Sequence, residues 1–546
     1  DYSIAFGVRG TMVRSRGNMK QILEDYRQIH NSGEEWLVVV DEAHGFRNEY
    51  IKDYAILHEL CQGNKVLLLT ATPFNNRPED IYAMIKLFQI PSRSTLQTVS
   101  SLGAEFAHWI EVYKELRSKQ RKRAIPESEA KIAIDSIGQH IRKIIEPLVI
   151  RRSRIDLEKI PAYKDDLKRQ GIEFPRVLPP EEKEYDLGDL TGLYKYTLER
   201  ICSREKIDPN TYIDADVESD TSELQNRVEV ESTMEHEEGE ETPKMFVAAR
   251  YQPLSYYRKD IEYYKKIVKI IKDAGMDENL FFNSQRNLAS FMRTLLVRRF
   301  ESSQYAFKKS LDSMLRNCQI IQQWIEKLQC VPIYKKGNIP DVSEMYESTD
   351  DGQQVLFSNT AEDMIDKLTK KGMITIPCEY LEDKFFEDLQ SDIDILTDLK
   401  ERWANIPEDN DPKLLTFIQI LREQTLSEPT RKIVAFSQFA DTVEYLGRKL
   451  EEANLPVFAY TSAKASRGNK QTIAANFDAG LKTEAQENKY QILIATDAIS
   501  EGYNLHRAGT IFNYDIPYNP TRVIQRVGRI NRINKKVFDE LYIYNY

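Results

Sequence analysis

Six short apolar runs limit what this chain can fold into. They are Trp36-Leu-Val-Val-Val40, Lys65-Val-Leu-Leu-Leu69, Lys432-Ile-Val-Ala-Phe436, Pro456-Val-Phe-Ala-Tyr460, Gln491-Ile-Leu-Ile-Ala495 and Thr510-Ile-Phe-Asn-Tyr514. A half-buried strand alternates apolar and polar residues. A run that is apolar at nearly every position reads as a strand covered on both faces, as in a parallel sheet between helical layers. Helical patterns lie beside the runs. In 78–90, Ile81, Met84, Ile85 and Phe88 stand at i, i+3, i+4 and i+7, and 441–453 carries Val443, Leu446 and Leu450. Strand–helix–strand order predicts α/β layers with right-handed crossovers.

The runs fall into two groups. Between them, from about 190 to 405, strand signals are weak and Tyr-, Lys- and Glu-rich helical patterns dominate. The expected fold class is therefore α/β: two lobes with parallel sheets flanked by helices, and a large, mainly helical insertion between them. The expected divisions are 1–160 for the C-terminal part of a first lobe, 161–410 for a proline-bearing connector and the insertion, and 411–546 for a second lobe. Within the insertion, 207–245 is acidic with few large apolar residues, and reads as a disordered loop.

At 546 residues, two to four domains are expected. No run of about 18 apolar residues indicates a membrane span, and the N-terminus does not read as a signal peptide. Five scattered cysteines without a CxxC pair argue against a zinc ribbon or disulfide framework and fit a reducing cytoplasm. The net charge of −10 alone speaks against nucleic-acid binding, yet Lys and Arg concentrate at 117–123, 142–154, 292–299 and 522–536.

Asp41 and Glu42 follow the first run, at the carboxyl end of a strand, where open parallel sheets bind ligands. Two acids there suit a metal–phosphate site: Asp41 to hold Mg²⁺ through its water shell, Glu42 to orient or deprotonate an attacking water. Thr70-Ala-Thr72-Pro73 follows the next strand and offers hydroxyls to those acids. In the second group, Ala495-Thr496-Asp497-Ala498-Ile499-Ser500-Glu501-Gly502-Tyr503-Asn504 follows a strand, with Gly502 allowing close backbone approach. Residues 519–532 then read as a helix. Val523, Ile524, Val527 and Ile530 would form an apolar back, with Arg522, Gln525, Arg526, Arg529 and Arg532 facing outward. Each stretch alone also fits an ordinary turn or a solvated helix face.

Taken in order, these stretches resemble the superfamily 2 helicase-type ATPases. Asp41-Glu-Ala-His44 is similar to motif II, Thr70-Ala-Thr72 to motif III, 495–504 to motif V and Gln525-Arg-Val-Gly-Arg-Ile-Asn-Arg532 to motif VI. Leu69-Thr-Ala-Thr-Pro-Phe-Asn-Asn76, Ala435-Phe-Ser-Gln-Phe439 and Asn513-Tyr-Asp-Ile-Pro-Tyr-Asn-Pro520 resemble the Snf2-like branch, bacterial HepA/RapA-like proteins in particular. Arg298-Arg-Phe-Glu-Ser-Ser303 resembles a helix found in some bacterial members. The resemblance implies an ATP- and Mg²⁺-dependent motor with RecA-like lobes. Arg529 and Arg532 would be its arginine fingers, and Gln525 would sense nucleotide or water. Gly502 and Asn504 would face the nucleotide, with Thr496 facing the nucleic-acid backbone. His44, Thr70 and Thr72 would couple nucleotide state to movement. Arg151, Arg152, Arg154, Arg298, Arg299 and Ser437 are further backbone-contact candidates.

One departure matters. The phosphate-cradling GxxxxGK[ST] loop is absent, and neither Gly63-Asn-Lys65 nor Lys335-Lys-Gly-Asn338 fits it. The expectation is that the chain lacks its natural N-terminus and, as it stands, hydrolyses ATP poorly. The resemblance implies a double-stranded DNA translocase without sequence specificity, located in the bacterial cytoplasm at the nucleoid. It leaves open an RNA polymerase or defence-system partner, with any nuclease elsewhere. A strand-separating helicase and a non-hydrolysing scaffold are the alternatives.

Overall fold

The apolar runs form parallel strands in two compact units, residues 1–173 and 174–546. The computed structural model describes residues 4–6, 11–13, 37–49, 52–70, 77–96, 98–121, 125–150, 154–202, 244–275, 278–334, 346–348, 354–356, 373–499, 503–517, 520–531 and 536–546. Residues 207–243 of the acidic tract, Thr72, Arg151, Arg152, Gly502 and Arg532 lie outside the described residues.

In the first unit, β1 (Ile4–Phe6), β2 (Thr11–Val13), β3 (Leu37–Val40) and β4 (Lys65–Leu68) form one sheet in the order β2-β1-β3-β4. The β3–β4 pair is parallel; β1 runs antiparallel to both its neighbours. The helices α1 (Lys52–Cys61) and α2 (Pro78–Lys86) cover one face, burying Val38, Val40, Leu57, Leu60, Ala83 and Leu87. The other face departs from the expectation of two-sided burial. Leu37, Leu67 and Leu69 are 52%, 47% and 43% exposed, so these runs alternate. Apolar residues at successive positions fix a strand's chemistry but not whether a second layer arrives to cover it. The basic helices α3 (Leu102–Arg121) and α4 (Glu127–Ile145) pack on each other through Phe106, Tyr113, Ile137, Ile141 and Ile144. Two shorter helices, α5 (Arg154–Lys159) and α6 (Pro161–Gln170), complete the unit.

The second unit begins with β5 (Arg176–Val177) and β6 (Glu181–Glu182), inside the segment read as a connector. Both pair in parallel with a strand that the sequence reading missed, β15 (Glu540–Asn545). The missed signal is Leu541 and Ile543, buried at period two between tyrosines.

The insertion is helical as expected. It comprises α7 (Thr191–Ile201), α8 (Ile261–Asp273), α9 (Glu278–Ser302), α10 (Gln304–Leu328) and α11 (Asp383–Ala404). It also holds two small antiparallel pairs, β7 (Cys330–Tyr334) with β10 (Met373–Pro377), and β8 (Tyr346–Ser348) with β9 (Gln354–Leu356). Its core is built on Phe300, Phe307, Leu311, Phe385, Leu396 and Trp403.

The remaining strands β11 (Lys432–Ser437), β12 (Val457–Tyr460), β13 (Ile492–Thr496) and β14 (Ala508–Asn513) are the four runs of the second group. They join β15 in the all-parallel order β12-β13-β11-β14-β15. Here burial on both faces holds: every residue of β11, β13 and β14 is buried. The layers are supplied by α12 (Pro412–Ser427), α13 (Ala440–Glu452), α14 (Arg467–Phe477) and α15 (Pro520–Ile530). The chain crosses from β12 back to β13 and then over β11 to β14. The carboxyl ends of β13, β11 and β14 therefore lie side by side at a topological switch point, where doubly wound sheets place their ligands.

Candidate functional site

In the first unit, β3 delivers Asp41 and Glu42 to its carboxyl end. The ladder to β4 continues through Leu69 N donating to Val40 O at 2.8 Å and Ala43 N donating to Leu69 O at 3.0 Å. Glu42 sits between those bonds in the left-handed region, φ 52° and ψ 44°. A non-glycine residue there stores about 1–3 kcal/mol of strain, held by the surrounding bonds. The Glu42 amide donates to Asp41 Oδ1 at 2.9 Å. His44 Nδ1 lies 3.2 Å from Glu42 Oε2 and 3.3 Å from Thr70 Oγ1. The structure thus gathers Asp41, Glu42, His44 and Thr70 into one strand-end cluster. Asp41 is exposed. An exposed carboxylate fits a Mg²⁺ ion held through water, since Mg²⁺ sheds its hydration reluctantly. Among the described residues no cluster of three or more metal-ligating side chains occurs.

In the second unit the arginine helix departs from its sequence reading. Arg526 is fully buried, whereas Ile524 is 68% exposed. The inward arc of α15 runs from Arg526 through Ile530 to Val523 and Val527. Ile524 lies about 100° beyond Val523 and outside that arc. Arg526 can turn inward because every direction of its fork is met. Its Nε and Nη2 donate to Asp497 Oδ1 and Oδ2 at 2.6 and 3.1 Å. Its Nη1 donates to Asn513 Oδ1 at 2.9 Å and to the Asp515 carbonyl at 3.2 Å. Its guanidinium lies 5.1 Å from the Phe436 ring centroid. The expectation that Arg526 faces outward is therefore corrected: it braces the ends of β13 and β14 to α15 within this unit. Hydropathy places arginine outside by default and cannot anticipate a bidentate buried partner.

Arg522, half-exposed, reaches Asp497 Oδ2 at 3.6 Å. Gln525 and Arg529 are partly buried. The Arg529 carbonyl accepts from Leu505 N at 3.0 Å, tying the end of α15 to the segment after β13. Asn504 is exposed, its Nδ2 3.4 Å from Asp478 Oδ2. Thr496, at the end of β13, is 8% exposed.

Two backbone-contact candidates are corrected. Ser437 is fully buried and donates its hydroxyl to Asp515 Oδ2 at 2.5 Å. Arg299 pairs with Asp441 and donates from Nε to the Ala306 carbonyl at 3.2 Å, so it is engaged inside the unit. Sequence reasoning overlooked Asp497, Asn513 and Asp515 as site residues. Asp497 and Asp515 each stand just beyond the end of a buried parallel strand, the same signal that singled out Asp41.

Residues 17–170 match the SNF2-related domain, and residues 413–534 match the helicase conserved C-terminal domain. The chain is 32% identical over 114 residues to "Uncharacterized ATP-dependent helicase YqhH" of Bacillus subtilis (strain 168), covering 21% of this chain and 18% of that protein. It is 26% identical over 206 residues to "ATP-dependent RNA helicase WM6" of Drosophila melanogaster, covering 36% and 41%. Among solved structures, the Hef helicase domain of Pyrococcus furiosus aligns over 96% of this chain and 74% of that one, with 14% identity and a TM-score of 0.37. The matched stretches span less than half the length of these curated relatives. With its strand-end acids inside the first domain and its arginine helix inside the second, the chain belongs to the Snf2-like branch of the superfamily 2 helicase-type ATPases.

Proposed function

We propose that the protein is an ATP-driven nucleic-acid motor of the double-stranded DNA translocase type, moving along duplex or displacing bound proteins. One observation carries this reading: a single chain holds an SNF2-related domain with Asp41 and Glu42 at a strand end, and a helicase C-terminal domain with Arg529 on a braced helix. In this reading Glu42 orients the attacking water, its carboxylate set by His44. Arg529 and Arg532 stabilise the charge that develops on the transferred phosphoryl group. Mg²⁺, when bound through Asp41, neutralises phosphate charge. Gln525 senses nucleotide, and Gly502, Asn504 and Thr496 complete the contacts of the second unit. His44, Thr70 and Thr72 pass nucleotide state onward, and Arg151 and Arg152 hold the nucleic-acid backbone.

The chain carries no GxxxxGK[ST] loop, so the 546 residues alone are expected to turn ATP over slowly or not at all. Partners such as an RNA polymerase or a defence system with a separate nuclease belong to the same proposal, as does a bacterial nucleoid location. Among the described residues no helix is long and apolar enough to cross a membrane.

A second reading is RNA unwinding, favoured by the relative named an RNA helicase. Triplex displacement and forked-duplex unwinding separate the two. A translocase displaces a third strand from duplex DNA and leaves DNA and RNA forks paired. ATP-dependent opening of an RNA fork without triplex displacement would overturn the DNA reading.

A further inference from the structure

A buried polar cluster of the second unit lies where the insertion meets the strand ends, and its centre is the Ser302–Ser303 step that the sequence singled out. Two helices of 25 residues, α9 and α10, meet at Ser303, which is extended (φ −158°, ψ 151°) and caps α10 by accepting from Ala306 N at 3.1 Å. The vertex is held in place from several sides. Ser302 Oγ donates to Asp515 Oδ2 at 2.6 Å and lies 2.8 Å from Thr442 Oγ1. Ser303 Oγ lies 2.9 Å from the same Thr442 hydroxyl. Lys413 Nζ donates to the Glu301 carbonyl at 2.8 Å, at the carboxyl end of α9 where a cation complements the helix dipole. The side chains of Ser302 and Thr442 are inaccessible to solvent, and Ser303 and Asp515 nearly so.

Proton bookkeeping gives the cluster a direction. Asp515 accepts from Ser437 Oγ at 2.5 Å, from Gln438 N at 2.7 Å and from Ser302. The single Ser302 proton is thereby used, so Thr442 donates to Ser302 and Ser303 donates to Thr442. The chain runs Ser303 to Thr442 to Ser302 to Asp515, and such chains reinforce each bond. At its far end the Asp515 carbonyl accepts from Arg526, whose other bonds fix Asp497 and α15.

We propose that Ser302 and Asp515 are positioning residues for the arginine helix, so that the vertex of the insertion sets where α15 holds Arg529. The insertion then moves with the second unit as one body, and whatever loads it is felt at α15. Its consequence for turnover rests on the motor reading; the mechanical link does not.

The test is amide hydrogen exchange in the intact chain, comparing wild type with Ser302→Ala. Exchange of the amides of residues 524–530 should speed about tenfold, the equivalent of about 1.4 kcal/mol, while β12 and α14 exchange as in wild type. Thr442→Val removes the relay hydroxyl at nearly constant shape and should reproduce the effect. Thr442→Ser keeps the hydroxyl and should restore wild-type exchange in α15; this pair decides the matter if Ser302→Ala does not fold. Acceleration confined to the α9–α10 junction, with α15 unchanged, overturns the proposal. In the protein expressed from its full coding sequence, the linked variants should lower kcat for ATP with KM unchanged. If α15 loosens but no form of the protein hydrolyses ATP, the motor reading fails and the link stands.

Discussion

Truncating Arg526 gives the sharpest quantitative test of how the second unit is built. Arg526→Met keeps length and volume but removes four hydrogen bonds and the only charge buried against Asp497 in α15. Removing one partner of a buried pair costs about 3–5 kcal/mol, because the other charge stays desolvated. Asp497 retains 18% side-chain exposure and a distant Arg522 at 3.6 Å, which places the loss near the lower end, about 3 kcal/mol. Arg526→Lys keeps the charge without the fork and should lose about 1–2 kcal/mol. With two units, one global unfolding curve is not a two-state quantity. The assay is therefore hydrogen exchange of the β11 and β13 amides under rising urea, which reads the second unit alone. A double-mutant cycle with Asp497→Asn should give a coupling of about 2 kcal/mol. A loss below about 1 kcal/mol, additive with Asp497→Asn, would mean that Arg526 is a solvated arginine after all.

Other expectations follow from the same geometry. Gly528 lies inside α15, and a Cβ there would meet nothing within 4 Å; Gly528→Ala should stabilise the second unit by about 0.5–1 kcal/mol in the same hydrogen-exchange assay. If nucleotide approaches that face, the same variant lowers ATP turnover. Gly447 packs α13 on β12, where a Cβ would stand 2.5 Å from the Ala459 Cβ; Gly447→Ala should cost about 1–3 kcal/mol in the same assay. Burial raises the Asp392 carboxyl from 3.8 to about 7, despite amides donated by Val247 and Ala249 at 2.8 Å each. Between about pH 4 and 7 the folded state holds a proton that the unfolded state has released. Stability should fall across that window, by up to about 4 kcal/mol, and level above it. Hydrogen exchange of the second unit's core amides under urea, repeated across pH with the intrinsic exchange rate divided out, checks this, and Asp392→Asn should flatten the slope.

Four strands of the second sheet were legible because two-sided burial writes a continuous apolar run, as at residues 432–436 and 491–495. The same rule misjudged residues 65–69, where Leu67 and Leu69 stay exposed, because sequence shows what a face could bury and not what covers it. β15 was missed for the opposite reason: its apolar residues alternate with tyrosines, a weaker signal. In the candidate site, the nearness of Thr70 to residues 41–44 was legible, since they stand at the ends of neighbouring strands, but the sequence pointed its hydroxyl at the acids and the structure sets it 3.3 Å from His44 Nδ1. The inward turn of Arg526 and the burial of Ser437 were not. Each depends on an acid far along the chain, Asp497 for one and Asp515 for the other, and only tertiary structure supplies those partners.

The most direct measurement is ATP hydrolysis by the protein expressed from its full coding sequence, with and without duplex DNA, in wild type, Glu42→Gln and Arg529→Ala. A motor of this kind should show hydrolysis stimulated by duplex, and a fall of about a thousandfold in each variant with the fold intact, the scale expected for loss of a residue that stabilises the phosphoryl-transfer transition state. Undiminished turnover in Arg529→Ala would contradict the motor reading, whatever the DNA does.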